Sequence, residues 1–223
     1  MPEPEPGERF PRSKFLEFST LGLGGLIGGI VTVPILGPMV ADPFRGEKHR
    51  KLDLGPLSDF PVGQWKIATF MSDPSEGEVT RRTAYVRNNG ESSFTIISNR
   101  CAHLGCPVQP NGPVFDQKKT VEHMKDGQMV TLIPMLPAGG FGCPCHGGQY
   151  NSEGDRTAGP PVRALDRYDY SIVGGHLVLG KTYIVSKVDG TGAQAKIHRY
   201  GLANPGNHVD GPEAWLYPLQ PPH

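Results

Sequence analysis

"NRCAHLGCPVQ", residues 99–109, and "FGCPCHGGQY", residues 141–150, hold every cysteine of the chain. Cys101 and Cys106 lie in the first box, Cys143 and Cys145 in the second, and each box adds one histidine, His103 and His146. The first reads C-x-H-x-x-C and the second C-x-C-H. Four cysteines in an exported β domain usually mean two disulfides, but that leaves both histidines without a role. A structural zinc ion also takes Cys and His, yet six donors exceed the four positions of one tetrahedral ion. A third arrangement uses all six residues. Two irons bridged by two sulfides need four protein ligands, two thiolates on one iron and two imidazoles on the other, and two cysteines are then left over beside the ligand loops.

The rest of the chain narrows the setting. Formal net charge is +0 and the sequence pI is about 7.1, so no basic surface asks for nucleic acid and no acidic tract asks for a cationic partner. Thirty Gly and 23 Pro favour a loop-rich β fold over a helix bundle. From Gln64 onward come short strand-like runs: "QWKIATF", "RTAYVR", "FTIIS", "MVTLIPML" and "YDYSIVGGHLVLG". Gly174-Gly175 sits where a hairpin needs positive φ, and Asp126-Gly127 offers a second hairpin. These runs define one antiparallel β domain over 64–188, followed by a Gly- and Pro-rich extension over 189–223.

Ahead of that domain, residues 18–41 carry no charge. At ~1.5 Å per residue such a helix crosses a hydrocarbon core of ~30 Å. Its glycines and Pro34 and Pro38 weaken a helix in water but are tolerated in lipid, where "GLGG" and "GGI" permit close helix packing. The alternative is a cleaved secretory signal, but the segment is longer than a typical apolar signal core and no clear small-residue cleavage site follows. Lys and Arg flank both ends, so charge does not orient the helix. "PRSKFLEF", residues 11–18, looks like a degenerate twin-arginine export signal with Ser13 in place of the second Arg, and places residues 1–17 in the cytoplasm. Residues 42–63 are charged, Pro- and Gly-bearing and read as a flexible tether.

Together these features resemble the Rieske iron-sulfur subunit of bacterial quinol:cytochrome c oxidoreductases. The resemblance covers the anchor, the tether, the β domain, both boxes and "AGPPVRAL", residues 158–165, which is similar to the family's proline loop. It implies an all-β fold: a Rieske-type antiparallel β domain with an inserted cluster-binding subdomain, preceded by one N-terminal transmembrane helix. It further implies a Rieske-type [2Fe-2S] cluster with Cys101 and Cys143 on the inner iron and His103 and His146 on the outer iron, and a disulfide between Cys106 and Cys145. Leu104 would lie at the exposed tip that docks on the partner, Gly159, Pro160 and Pro161 would shield the cluster, and the Tyr150 hydroxyl would bond a ligand cysteine. The chain departs from the family at Gly148, where relatives often carry a sulfide-bonding serine, and in the long stretch 107–142 between the boxes. His123 within that stretch reads as a surface residue, and Trp215 and Tyr217 in the extension have no assigned role.

The implied chemistry is quinol oxidation. A ligated imidazole exposes its other ring nitrogen, whose proton affinity depends on the oxidation state of the metal, so His146, with His103 as second candidate, is expected to contact the quinol. The expected partners are a cytochrome b subunit and a c-type cytochrome within a dimeric multi-subunit complex of the bacterial cytoplasmic membrane, with the cluster domain on the extracytoplasmic side. A glycine at 148 gives cluster sulfur no side-chain hydrogen bond, which should lower the potential by tens of millivolts, up to roughly 100 mV, and favours menaquinol. Alternatives are the Rieske subunit of a periplasmic oxidase such as arsenite oxidase, and a Rieske oxygenase. The second would need a separate site of two His and one carboxylate, for which no convincing motif exists.

Overall fold

The computed structural model describes residues 12–41, 51–119, 121–125 and 128–199. The chain falls into two compact units, Met1–Gly46 and Glu47–His223. In the first, α1 runs over Arg12–Ala41, starting six residues earlier than the apolar segment alone suggests. Its stretch Ser13–Pro34 is 22 residues long, apolar enough to cross a membrane, and has none of its surface buried. Thr20 turns its hydroxyl back to the Leu16 carbonyl at 2.8 Å, so this polar side chain presents no unsatisfied donor to its surroundings.

The second unit is built on antiparallel strands. They are β1 (Leu52–Pro56), β2 (Trp65–Met71), β3 (Arg81–Gly90), β4 (Ser93–Ser98), β5 (Gln109–Pro110), β6 (Val121–Lys125), β7 (Gln128–Met135), β8 (Phe141–Cys143), β9 (Gly148–Tyr150), β10 (Arg156–Ala158), β11 (Arg167–Val173), β12 (His176–Tyr183), β13 (Val185–Asp189) and β14 (Lys196–Arg199). The main sheet has eight strands in the order β1-β12-β11-β4-β3-β2-β7-β6. Its two edge strands, β1 and β6, come into contact, so the sheet wraps around one core that includes Leu54, Val86, Ile96, Leu132 and Leu177. Closing the sheet in this way shields both edges. The hairpin at Gly174-Gly175 forms as expected, with both glycines at positive φ, 58° and 79°. The strands on either side of 126–127 pair as expected, although that turn itself lies outside the described residues.

Strand alternation explains how the sheet carries a second core. On β2, β3 and β4, Ala68, Ala84, Val86 and Ile96 point into the main core, while Trp65, Tyr85 and Ile97 point the other way. There they meet Phe141 and Tyr150 of a second, four-stranded sheet, order β10-β9-β8-β5. Phe141 stacks on Tyr85 at 4.7 Å and meets Trp65 edge-on at 5.8 Å, and the Tyr85 hydroxyl donates to the Val108 carbonyl at 2.5 Å. The cysteine boxes are therefore mounted on a rigid aromatic floor. Phe141 is fully buried, and truncation of such a side chain costs about 3–5 kcal/mol. Phe141→Ala should lower the unfolding free energy by that amount in a denaturant titration; a loss below 1 kcal/mol would mean that the floor does not support the boxes.

Three boundary readings change. The tether reading over 42–63 fails over its second half: Leu52 and Leu54 alternate into the core, β1 pairs with β12, and Phe60 is 2% exposed. The charged run before Leu52 hides this short strand in the sequence. The rest of the tether reading, 42–50, lies outside the described residues. The domain also continues past 188, because β13 and β14 pair as a hairpin packed on Ala164 and Tyr183 through Val185 and Val188. Trp215 and Tyr217 lie outside the described residues. Finally, the stretch 107–142 has a structural use: β6 and β7 complete the main sheet, and β5 pairs with β8 beside the second box.

Candidate metal centre

The two boxes fold alike. In the first, the Gly105 N–H donates to the Cys101 carbonyl at 2.9 Å, and in the second the Gly147 N–H donates to the Cys143 carbonyl at 3.1 Å. Gly105 and Gly147 both adopt positive φ, 77° and 72°, which lets each chain reverse tightly behind its cysteine. The first loop is closed further by Cys101 N–H to Cys106 carbonyl at 2.8 Å and Val108 N–H to Asn99 carbonyl at 2.7 Å. A disulfide between Cys106 and Cys145 joins the loops, with Cα atoms 6.6 Å apart.

What remains is two free thiols and two imidazoles. Cys101 and Cys143 are buried, at 2% and 3% exposure. Burial pushes the Cys101 thiol up from its ordinary pKa; the Tyr150 hydroxyl bond pulls it back down, and the neighbouring Cys143 thiol raises it further. Two adjacent buried sulfurs cannot both be thiolates without a cation between them. The sulfurs of Cys106, Cys143 and Cys145 lie within 4.8 Å of one another, but the disulfide leaves only Cys143 among them as a thiolate donor. His103 and His146 face each other with ring centroids 5.1 Å apart and planes at 86°. The His103 Nδ1 is buried and has no hydrogen-bond partner. An orphaned buried nitrogen costs free energy unless something binds it, and a metal ion is such a partner. Two buried thiols, an orphaned imidazole nitrogen and a second imidazole alongside fit a [2Fe-2S] cluster with unlike ends.

The surroundings follow the sequence expectations closely. The Tyr150 hydroxyl accepts the Ala102 N–H at 3.1 Å and lies 3.2 Å from the Cys101 sulfur. With its acceptor side engaged, its proton is free to point at that sulfur. Leu104 stands 60% exposed next to His103, and His146 is exposed. Pro160 is exposed, whereas Pro161 is buried against the second box. Gly159, at φ 85°, approaches the Gly147–Gly148 backbone so closely that a Cβ would lie 2.5 Å from the Gly147 carbonyl oxygen. Arg156 holds that glycine by donating to its carbonyl at 2.8 Å.

Gly148 has a meaning that the sequence did not reveal. A Cβ there would lie 2.7 Å from Pro161 Cγ and 3.1 Å from Cδ. The glycine admits the proline loop to the site, so a serine at 148 would displace Pro161 as well as offer a hydroxyl. A Gly148→Ser titration would mix both effects. Val162, 51% exposed beside Pro161, was also not singled out, and its place after two prolines was the only signal. Glu153, buried with Arg87 and Arg167, gave no signal because Arg87 lies 66 positions away. The side chain of His123 lies outside the described residues.

Comparison with known proteins agrees with this geometry. Residues 64–169 match the model of the Rieske [2Fe-2S] domain. The chain is 26% identical over 178 residues to the menaquinol:cytochrome c reductase iron-sulfur subunit of Geobacillus thermodenitrificans, covering 78% of this chain and 92% of that one. It is 27% identical to the subunit of the same name from Bacillus subtilis, covering 76% and 91%. It is 28% identical to the cytochrome b6-f complex iron-sulfur subunit of Chlorobaculum tepidum, covering 78% and 77%. With its two boxes, disulfide and proline loop in place, the β unit that follows the apolar helix is a Rieske [2Fe-2S] domain and belongs to that family.

Proposed function

We propose that the chain is the electron-transfer subunit of a menaquinol-oxidising cytochrome bc complex, carried by one observation: a half-buried and an exposed imidazole stand side by side over two buried thiols. Cys101, Cys143, His103 and His146 are the ligands in this reading. The cluster, when bound, supplies a one-electron carrier. The residues around it do the rest. His146 reaches solvent and presents its outer ring nitrogen as hydrogen-bond acceptor for a quinol hydroxyl, and it then holds the proton that the quinol gives up. Leu104 and Val162 offer apolar surface for docking on a cytochrome b subunit and keep water from the shared bond. Tyr150 donates to Cys101 sulfur, which favours the more negative, reduced state.

The disulfide suits an oxidising compartment, so the β unit is assigned to the extracytoplasmic side of the bacterial membrane with α1 as its single-pass anchor. Menaquinol is favoured because Gly148 has no side-chain donor and because two of the relatives are named for menaquinol. The test is purification of the native membrane complex with a quinol-dependent assay of c-type cytochrome reduction. A cytochrome b and a c-type cytochrome should copurify, and menaquinol should outperform ubiquinol; electron uptake from a non-quinol donor alone would refute the reading.

The remaining tether, 42–50, leads to a further expectation. If the β unit must travel between quinol site and cytochrome, prolines added there should slow cytochrome reduction while leaving the cluster potential unchanged. An unchanged rate would mean that no such travel is needed.

A further inference from the structure

The turn that follows Tyr150 is gripped by a buried charge group that the electron-transfer reading does not use. Glu153, 1% exposed, accepts Arg87 Nη2 of β3 at 2.6 Å and Arg167 Nη2 of β11 at 3.4 Å. Its main-chain carbonyl takes Arg167 Nη2 at 2.9 Å, and its carboxylate also accepts the Gly192 N–H at 3.2 Å from the loop of the C-terminal hairpin. Two residues on, Asp155 accepts the Val188 N–H of β13 at 3.0 Å. Base sheet and hairpin thus hold the same short turn.

That turn is internally stiff. The Asn151 side chain accepts the N–H groups of Glu153 and Asp155, both at 2.9 Å, and the Asn151 N–H donates to the Asp155 carbonyl at 2.8 Å. Tyr150 is the residue immediately before it. A buried ion group adds little net stability over packed apolar side chains, but guanidinium forks accept carboxylates in few directions and so fix position. We infer that Glu153, held by Arg87, Arg167 and Gly192, is a positioning residue that sets the Tyr150 hydroxyl against Cys101 sulfur and thereby raises the cluster potential. The hairpin beyond the matched domain acquires a role in this way, as one wall of the grip. The inference rests on Cys101 being a cluster ligand.

The test is a redox titration of the cluster-loaded full chain as parent, Tyr150→Phe, Glu153→Gln and the double variant. Tyr150→Phe should lower the potential through the lost hydrogen bond. Glu153→Gln should lower it by at least half that shift, and the double variant should match Tyr150→Phe alone, because both changes act through one hydroxyl. The sign is diagnostic: loss of a negative charge by itself raises a reduction potential, so a fall reports position rather than field. A Glu153→Gln potential that stays or rises, or a double variant whose shifts add, overturns the inference. If Glu153→Gln fails to load, Asp155→Ala serves, since it frees the hairpin and leaves the ion group intact; it too should lower the potential in the parent and do nothing in the Tyr150→Phe background, and an additive shift overturns the inference there as well. A Tyr150→Phe potential equal to the parent's would instead contradict the ligand reading of Cys101, and the inference falls with it.

Discussion

His103→Ala and His146→Ala are each expected to abolish the low-temperature EPR signal of the reduced protein. Substituting groups that only support metal ligands commonly lowers metal affinity ~10–100-fold; removing a ligand outright should cost more than that. In this protein no spare donor is at hand, because the disulfide occupies Cys106 and Cys145. The two variants should also differ in what they leave behind. His103 has a buried Nδ1 without a partner, so His103→Ala removes an unsatisfied group from the metal-free protein and should leave its melting temperature equal or higher. His146 is exposed, and its loss should leave the metal-free melting temperature unchanged. Full cluster content in either variant, by iron and sulfide analysis, would mean that the histidines are not ligands.

Breaking the crosslink is the second large effect. Paired Cys106→Ser and Cys145→Ser substitutions should cost about 2–5 kcal/mol of stability, the usual range for a native disulfide. Here the bond closes a segment of sequence separation 39 and ties the two box loops together. Each loop retains its own turn, through Gly105 N–H to Cys101 and Gly147 N–H to Cys143. The cluster should therefore still assemble but be lost faster on standing or on mild warming. Active protein in which mass spectrometry finds Cys106 and Cys145 both as free thiols would contradict the role assigned to the bond.

Much of the site was legible because a metal centre needs particular donor atoms at short, local spacing. Cys101, His103, Cys143 and His146 could be read within two boxes, and the partners of Tyr150, Cys101 and Ala102, fall in one of them. The proline loop was legible from "AGPP", but its tight contact was not: Gly148 and Pro161 meet through a turn whose closeness depends on the absence of a Cβ. The β1 strand was hidden because only Leu52 and Leu54 carry its alternation, in a stretch otherwise dominated by charge and glycine. The stretch 107–142 was opaque for a topological reason. Its β6–β7 hairpin is locally readable, but that it closes the main sheet against β1 depends on pairing with β2, more than fifty positions earlier. Glu153 was opaque for the same reason, since its three partners come from Arg87, Arg167 and Gly192. Local chemistry is written in local spacing, whereas the supports of the site are set by long-range packing.

The central claim is that one iron of the cluster is held by two imidazoles. It is tested most directly by pulsed EPR on the reduced protein grown with 15N-labelled histidine. The account predicts hyperfine couplings from two strongly coupled histidine nitrogens, with one lost or altered beyond recognition in any protein where His103 or His146 is replaced. A reduced cluster with no strongly coupled histidine nitrogen would mean ligation by cysteine alone, and would contradict it.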